Sequence, residues 1–419
     1  MLGPSEPRRW NRTAVALLVA GLVAEIPPAP LVAQEDLPAD SAAVDSAQAD
    51  ETSKFLEGFR LYGGLRLQAA VYEAAVELQD NASRIGFRLT RDFFDSGIQV
   101  FGQVELGLTL LQNFSDFNVS GSQGGLGRLI PGAKEDAVFA RLGFLGLDFG
   151  RYGIVTVGKQ WSTYYDVSGY SDNFYVFGGQ ASGTFPLSSD GGGSGTGRSD
   201  KTLSYRFRTG GMTLGAQAQL EANRLTGLGS FGGSAQYRFP IGLTLGVAGN
   251  YTDIPQEITD RIIGAEENGS ALVFGAKYES PRTFVGATFA IQESQDARLV
   301  DSVTVAFDGI GFEAFGYHEL SRRIRISGGF NYLDPDAQPP AHPDFRILFG
   351  VLGGAYYLNS QTLIYAEWRI SDSIDQYGDR EPNVFALGLR LDFGLPEMQR
   401  NDAPPLRFPE SNEPEEPED

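Results

Sequence analysis

Hydrophobic and polar residues alternate with a period of two along most of the chain, as expected of strands with one apolar and one polar face. In residues 98–108, Ile98, Val100, Val104, Leu106 and Leu108 share one face, while Gln99, Gln103 and Glu105 share the other. From Ser83 to Thr90, Ile85, Phe87 and Leu89 oppose Arg84 and Arg88. From Thr202 to Arg208, Leu203, Tyr205 and Phe207 oppose Ser204, Arg206 and Arg208. This pattern predicts sixteen strands. The first eight lie near 60–72, 83–93, 98–110, 137–148, 153–161, 201–208, 212–220 and 231–239. The second eight lie near 243–251, 270–278, 282–291, 309–317, 324–332, 345–357, 362–370 and 383–393.

The connections sort by parity. After even-numbered segments they are short turns such as Gly150-Arg151-Tyr152, Thr209-Gly210-Gly211, Pro240-Ile241-Gly242 and Glu279-Ser280-Pro281. After odd-numbered segments they are longer, and the longest covers about 162–200. Short turns at one rim and long loops at the other predict an all-β transmembrane antiparallel barrel with periplasmic turns and extracellular loops. Even segments also end in aromatics, at Phe93 and Phe94, Phe149, Phe207, Phe239, Tyr278, Tyr317, Tyr356 and Tyr357, and Phe393, which reads as a girdle at the headgroup layer. Residues 347–366 carry no charge, but Leu358-Asn359-Ser360-Gln361 in their middle is a turn cluster, so two strands are expected rather than a spanning helix.

Composition narrows the chemistry. Of 419 residues, none is cysteine and two are histidine, which excludes disulfides and thiolate metal sites and leaves little imidazole chemistry. No enzyme activity, metal or cofactor is expected. The formal charge of −20 argues against a nucleic-acid partner. Residues 1–33 hold Arg8, Arg9 and Arg12, an apolar run and a small residue at Ala33, and read as a secretory signal peptide, so the protein is expected to be exported and to show its apolar surface to lipid as a closed barrel. Residues 34–57, with seven acids against Lys54, are expected to be a disordered acidic linker before a barrel at 58–396. Residues 397–419 hold eight acids against Arg400 and Arg407 and read as a proline-rich periplasmic tail. The two extensions suggest either solubility and spacing or contact with a periplasmic partner.

Several motifs carry a family likeness. They are Ser83-Arg84-Ile85-Gly86-Phe87, Ala140-Arg141-Leu142-Gly143-Phe144 and Thr156-Val157-Gly158-Lys159-Gln160, then Tyr165-Asp166-Val167-Ser168-Gly169-Tyr170-Ser171-Asp172, Phe177-Gly178-Gly179 and Leu203-Ser204-Tyr205-Arg206. In order and spacing the chain resembles the sixteen-stranded general porins of Gram-negative outer membranes, most strongly over 60–220. The resemblance implies a homotrimer of water-filled channels in a lipid bilayer, passing small hydrophilic solutes and ions by passive diffusion. It also implies a third loop folded into the pore, whose acids face basic residues on the wall. Arg84 and Lys159 match the wall cations, and Asp166 and Asp172 fall on the constricting loop. Alternation alone adds Arg60, Arg66, Arg88, Arg206 and Arg208 to the basic wall and Gln99, Gln103 and Glu105 to its polar lining. Lys159 shares the parity of Val155, Val157 and Trp161, so alternation places it on an apolar face, against the match. Where many relatives flank Phe-Gly-Gly with acids, this chain has Val176 and Gln180, which weakens the loop's negative side.

Rival readings are weaker. Gly153 to Lys159 fits the start of a phosphate-binding loop, but Gln160 replaces the required hydroxyl residue and the interior is a strand. A lone Glu105 makes no hydrolase dyad, and neither His318 nor His342 is placed to activate a serine. The alternatives that stay open are a substrate-specific anion or phosphate channel, suggested by the early arginines, and a barrel that serves as an anchor for envelope tethering.

Overall fold

The computed structural model describes residues 58–72, 75–93, 97–111, 136–186, 189–220, 228–336 and 338–394. The expected leader, acidic linker and C-terminal tail, and Phe94, lie outside the described residues.

The strands are β1 (Phe59–Tyr72), β2 (Ala75–Asp80), β3 (Ser83–Asp92), β4 (Gln99–Leu108), β5 (Val138–Asp148), β6 (Ile154–Trp161), β7 (Arg198–Thr209), β8 (Met212–Leu220) and β9 (Leu228–Arg238). They continue as β10 (Leu243–Asp253), β11 (Ile262–Ile263), β12 (Asn268–Glu279), β13 (Thr283–Val300), β14 (Val303–Glu319), β15 (Ile324–Pro335), β16 (Ile347–Tyr357), β17 (Thr362–Ser371) and β18 (Val384–Phe393). They form one sheet that closes on itself where β1 pairs antiparallel with β18, from Gly63 opposite Phe393 to Tyr72 opposite Val384. Closure leaves no unpaired edge, the condition for a sheet to sit in hydrocarbon. All sixteen expected strands are present. The two extra ones are short: β2 prolongs the first hairpin, and β11 lies parallel to β14 at Thr304 and Val305. No helix among the described residues is long and apolar enough to cross a membrane; the crossing falls to the strands.

Burial is inverted relative to a water-soluble protein. Outward residues such as Leu145, Leu352, Phe274 and Leu389 are exposed, whereas inward Gln103, Glu105, Glu313 and Glu367 are buried. An apolar outer face needs acyl chains around it, so an arginine there near the midplane costs ~2 to 4 kcal/mol. Leu352→Arg on mid-β16 is therefore expected to lower the yield of heat-modifiable, membrane-inserted barrel, and inward Ser327→Arg on β15 is not. Equal insertion of both variants would show that the outer face does not meet lipid.

Two expectations need correction. The loop expected between segments 282–291 and 309–317 is strand, because β13 and β14 run on to Val300 and Val303. Past a register shift between Gln292 and Asp296 this hairpin is covered on both sides: Phe307 packs on Phe345 and the Tyr377 hydroxyl donates to the Leu299 carbonyl at 3.3 Å. Consecutive Gln295, Asp296, Ala297 and Arg298 are all buried, so the period-two pattern is lost. The aromatic row is also mixed. Phe93, Tyr278 and Tyr356 are exposed at the short-turn rim, but Tyr317 stacks on Phe284 and lies 4.0 Å under the Arg325 guanidinium, on the inward face.

Candidate functional site

The long connection between β6 and β7 turns into the barrel. It leaves β6 at Gly158, whose φ of +133° is closed to side-chain-bearing residues and coincides with a register shift between Gly158 and Gln160. Ser162 donates its hydroxyl to the Thr196 carbonyl at 2.6 Å and accepts the Tyr165 N–H at 2.9 Å, tying the two ends of the loop together and starting the single turn α1 (Tyr165–Ser168).

From there the loop crosses the inner wall on a track of small residues. Tyr164, Val167 and Tyr170 pack on Ala248, Ala271, Val273 and Ala290. A Cβ on Gly286 would overlap the Tyr170 carbonyl, and one on Gly311 the Ala181 carbonyl, so glycine is what lets the loop backbone lie against the sheet. Further on, Val176, Phe177 and Ala181 join Phe349, Val351, Tyr365 and Ala386 in a second apolar cluster inside the barrel. Burial of Phe177 contributes about 1.5–3 kcal/mol to this docking.

Polar contacts fix the loop tip. Glu367 on β17 accepts the backbone N–H groups of Tyr175, Val176 and Phe177 at 2.7, 2.8 and 3.1 Å. Glu313 on β14 accepts those of Gly179 and Ala181 at 3.1 and 3.4 Å, and the Asn331 side-chain carbonyl accepts that of Gln180 at 3.3 Å. Asn81, in the break between β2 and β3, donates to the Tyr175 carbonyl and the Tyr365 hydroxyl, both at 2.8 Å. Leaving a buried backbone N–H without such an acceptor costs about 1–3 kcal/mol.

Around Glu105 on β4 the wall is cationic. Arg141 Nε donates to Glu105 at 2.7 Å, Arg84 Nη1 lies 3.9 Å from the same carboxylate, and the field of Arg198 reaches it as well. The Tyr62 hydroxyl donates to Glu105 at 3.1 Å and accepts from Gln103 at 2.8 Å. Arg198 also lies 3.8 Å from Asp190 and its guanidinium sits 5.5 Å from the Trp161 ring centre. Arg84 and Arg141 are only 4% and 3% exposed, so the guanidiniums form a packed layer on the wall.

The expected site residues divide. Arg66 shares Asp392 with Arg390 at 3.9 and 2.7 Å, and Arg88 lies over the Phe101 ring at 4.8 Å. Arg206 is paired with Asp166 at 2.9 Å, which joins a wall cation to the loop. Arg60 and Arg208 are exposed at the short-turn rim, and Gln99 there donates to Asp92 at 2.9 Å. Asp172 accepts the Tyr165 hydroxyl at 2.9 Å, a contact within the loop. Lys159 needs correction as a wall cation facing the constriction: its ammonium sits 2.9 Å from Asp190 and 2.7 Å from Asp200 at the loop's returning end. The kink at Gly158 removes it from the alternation of β6.

Sequence reasoning left out Arg141, Arg198, Glu313, Glu367 and Asn81. Arg141 has outward parity and is turned inward by a bulge, because Glu105 pairs with Leu142 and Leu106 with Ala140, leaving Arg141 between them. Arg198 lies at the start of β7, inside what reads as loop. The inward parity of Glu313 and Glu367 was available; their loop partners were not. Among the described residues no group of His, Asp or Glu is placed to hold a metal ion.

Residues 39–376 match the family model described as Gram-negative porin. The chain is 23% identical over 281 residues to outer membrane porin C of Enterobacter cloacae subsp. cloacae, covering 62% of this chain and 77% of that protein. It is 22% identical over 290 residues to outer membrane porin N of Escherichia coli K12, with the same coverage of 62% and 77%. Among solved structures, Salmonella typhi OmpF in complex with daunomycin superposes with a TM-score of 0.66 at 18% identity, over 80% of this chain and 97% of that one. An anion-selective porin from Comamonas acidovorans gives 0.56 at 15% identity, over 80% and 99%.

Proposed function

The chain belongs to the Gram-negative porin family, and from that premise we propose that the arc of arginines around Glu105 lines the narrowest part of the channel and favours anions. The protein is an outer-membrane porin, a channel for passive diffusion. The observation that carries the finer reading is the distribution of charge across the lumen. Arg84 of β3, Arg141 of β5 and Arg198 at the start of β7 act on one carboxylate, Glu105 of β4. Other acids inside the barrel are engaged: Asp166 by Arg206, and Glu313 and Glu367 by loop backbone. An excess of fixed positive charge beside a narrow aqueous path raises the local concentration of anions.

We further read residues 1–33 as an export leader, and the barrel as one of three in a homotrimer. Planar-bilayer recording tests the channel reading. Reconstituted protein should give ohmic conductance steps and, in a KCl gradient, a reversal potential on the chloride side. Absence of steps argues against a diffusion channel, and a potassium-side reversal potential against the assigned role of the arginine arc.

A further inference from the structure

The short-turn rim carries arginines that the barrel itself does not neutralise. Arg60, Arg208 and Arg238 are exposed there, and none makes an ion pair with a described carboxylate. Their strand positions turn them inward. Arg208 alternates with outward Phe207 and shares parity with Arg206, whose guanidinium meets Asp166 inside the barrel. Arg238 pairs with buried Thr244, and Arg60 with Arg88. Arg151, Arg282 and Arg322 add exposed charge on the neighbouring turns.

The pair Arg60–Arg88 is informative, because two like charges directly opposite on adjacent strands repel. The other such pair on β1, Arg66 opposite Arg390, is bridged by Asp392. Arg88 feels the charge of Asp148 on β5, but among the described residues no carboxylate forms an ion pair with both Arg60 and Arg88. A compensating anion from outside the barrel therefore fits this rim. Phospholipid phosphates reach the turns, but not inward-facing Arg60, Arg208 and Arg238.

The chain supplies such an anion at the same rim. β18 ends at Phe393 next to β1, and Gly394 lies against the backbone of Leu61 and Tyr62, beside Arg60. The sequence continues to residue 419, and residues 397–419 carry eight acids against two arginines. At ~3.3 Å per residue, this stretch reaches roughly 80 Å when extended. A barrel of sixteen strands spaced ~4.8 Å apart and tilted ~40° is about 30 Å across.

We propose that the acidic C-terminal segment, residues 395–419, docks on the inward rim arginines of its own barrel and acts as a tethered counter-anion at the periplasmic mouth. Docked there, it offsets the positive mouth and competes with anionic solutes leaving the pore. The proposal rests on the porin reading and extends it to a built-in control of selectivity.

The test compares the full chain with a variant of equal length carrying Glu410→Gln, Glu413→Gln, Glu415→Gln, Glu416→Gln, Glu418→Gln and Asp419→Asn. In KCl of about 10 mM, where the Debye length is ~30 Å, the variant's chloride-to-potassium permeability ratio should be roughly sevenfold higher, because about one kT at the mouth favours chloride and disfavours potassium by a factor of ~2.7 each. In ~1 M KCl, with a Debye length of ~3 Å, the two should coincide. In an Arg208→Ser, Arg238→Ser background, neutralising the tail should shift the ratio less than half as much. An unchanged ratio in dilute salt overturns the docking, and so does an equal shift in the arginine-depleted background, which places the tail on lipid or elsewhere. In both cases conductance persists and the porin reading stands; membranes without conductance steps remove both.

Discussion

Glu367→Ala is expected to raise single-channel conductance and add rapid current fluctuations, while the barrel keeps its resistance to heat in detergent. The substitution removes the acceptor for three consecutive loop N–H groups, those of Tyr175, Val176 and Phe177. Each buried donor left unsatisfied costs about 1–3 kcal/mol. That is comparable with the about 1.5–3 kcal/mol gained by burying Phe177. The tip therefore gains by lifting off the β16–β17 wall and hydrating its backbone, which widens the aqueous path. Glu367→Gln should be intermediate, because the amide keeps one acceptor oxygen but turns an NH2 group toward donors. Strand pairing does not depend on this side chain, so loss of the folded barrel in SDS electrophoresis would mean that Glu367 holds the wall rather than the loop. Unchanged conductance in the alanine variant would mean that the apolar contacts alone hold the tip.

Arg84→Glu together with Arg88→Glu is expected to carry the reversal potential in a KCl gradient from the chloride side to the potassium side. Four units of charge change on β3, and Arg84 is 3.9 Å from Glu105, so two carboxylates then share a site built for one. A change of about tenfold in the permeability ratio corresponds to ~1.4 kcal/mol. Fixed charges around a narrow path supply that readily, since a single pair at ~4 Å is worth about 1 kcal/mol even in bulk water. Arg84→Ser alone should give a smaller shift of the same sign and guards against misfolding of the double variant. If both variants insert, conduct and keep the original reversal potential, these arginines do not line the path of the ions.

The barrel was legible because its signal is local. A strand that meets lipid on one side and water or polar wall on the other must alternate, and the alternation at 83–90, 98–108 and 202–208 survives into β3, β4 and β7 with the expected faces. It failed where both faces are covered by protein, as in the distal part of the β13–β14 hairpin. It failed again where the backbone slips: the bulge that turns Arg141 inward and the kink at Gly158 that frees Lys159 each reverse parity within one or two residues. Arg84, Arg88 and Glu105 were readable as one face, but not that Arg141 and Arg198 would join them.

What the amino-acid order determined by itself is therefore the number of strands, their faces, the rim that carries the short turns, and the long loop between β6 and β7. These follow from the pleat and the solvent on each side, which act over neighbouring residues. Only the closed barrel decided which acids meet which loop amides. Glu367 and Tyr175 lie 192 positions apart in sequence. They meet because curvature brings β17 round to the loop's tip, and because Gly286 and Gly311 leave room for a second layer of backbone against the wall. Charge selectivity belongs to that second level, since it depends on which guanidiniums converge on Glu105 once the loop has taken its place.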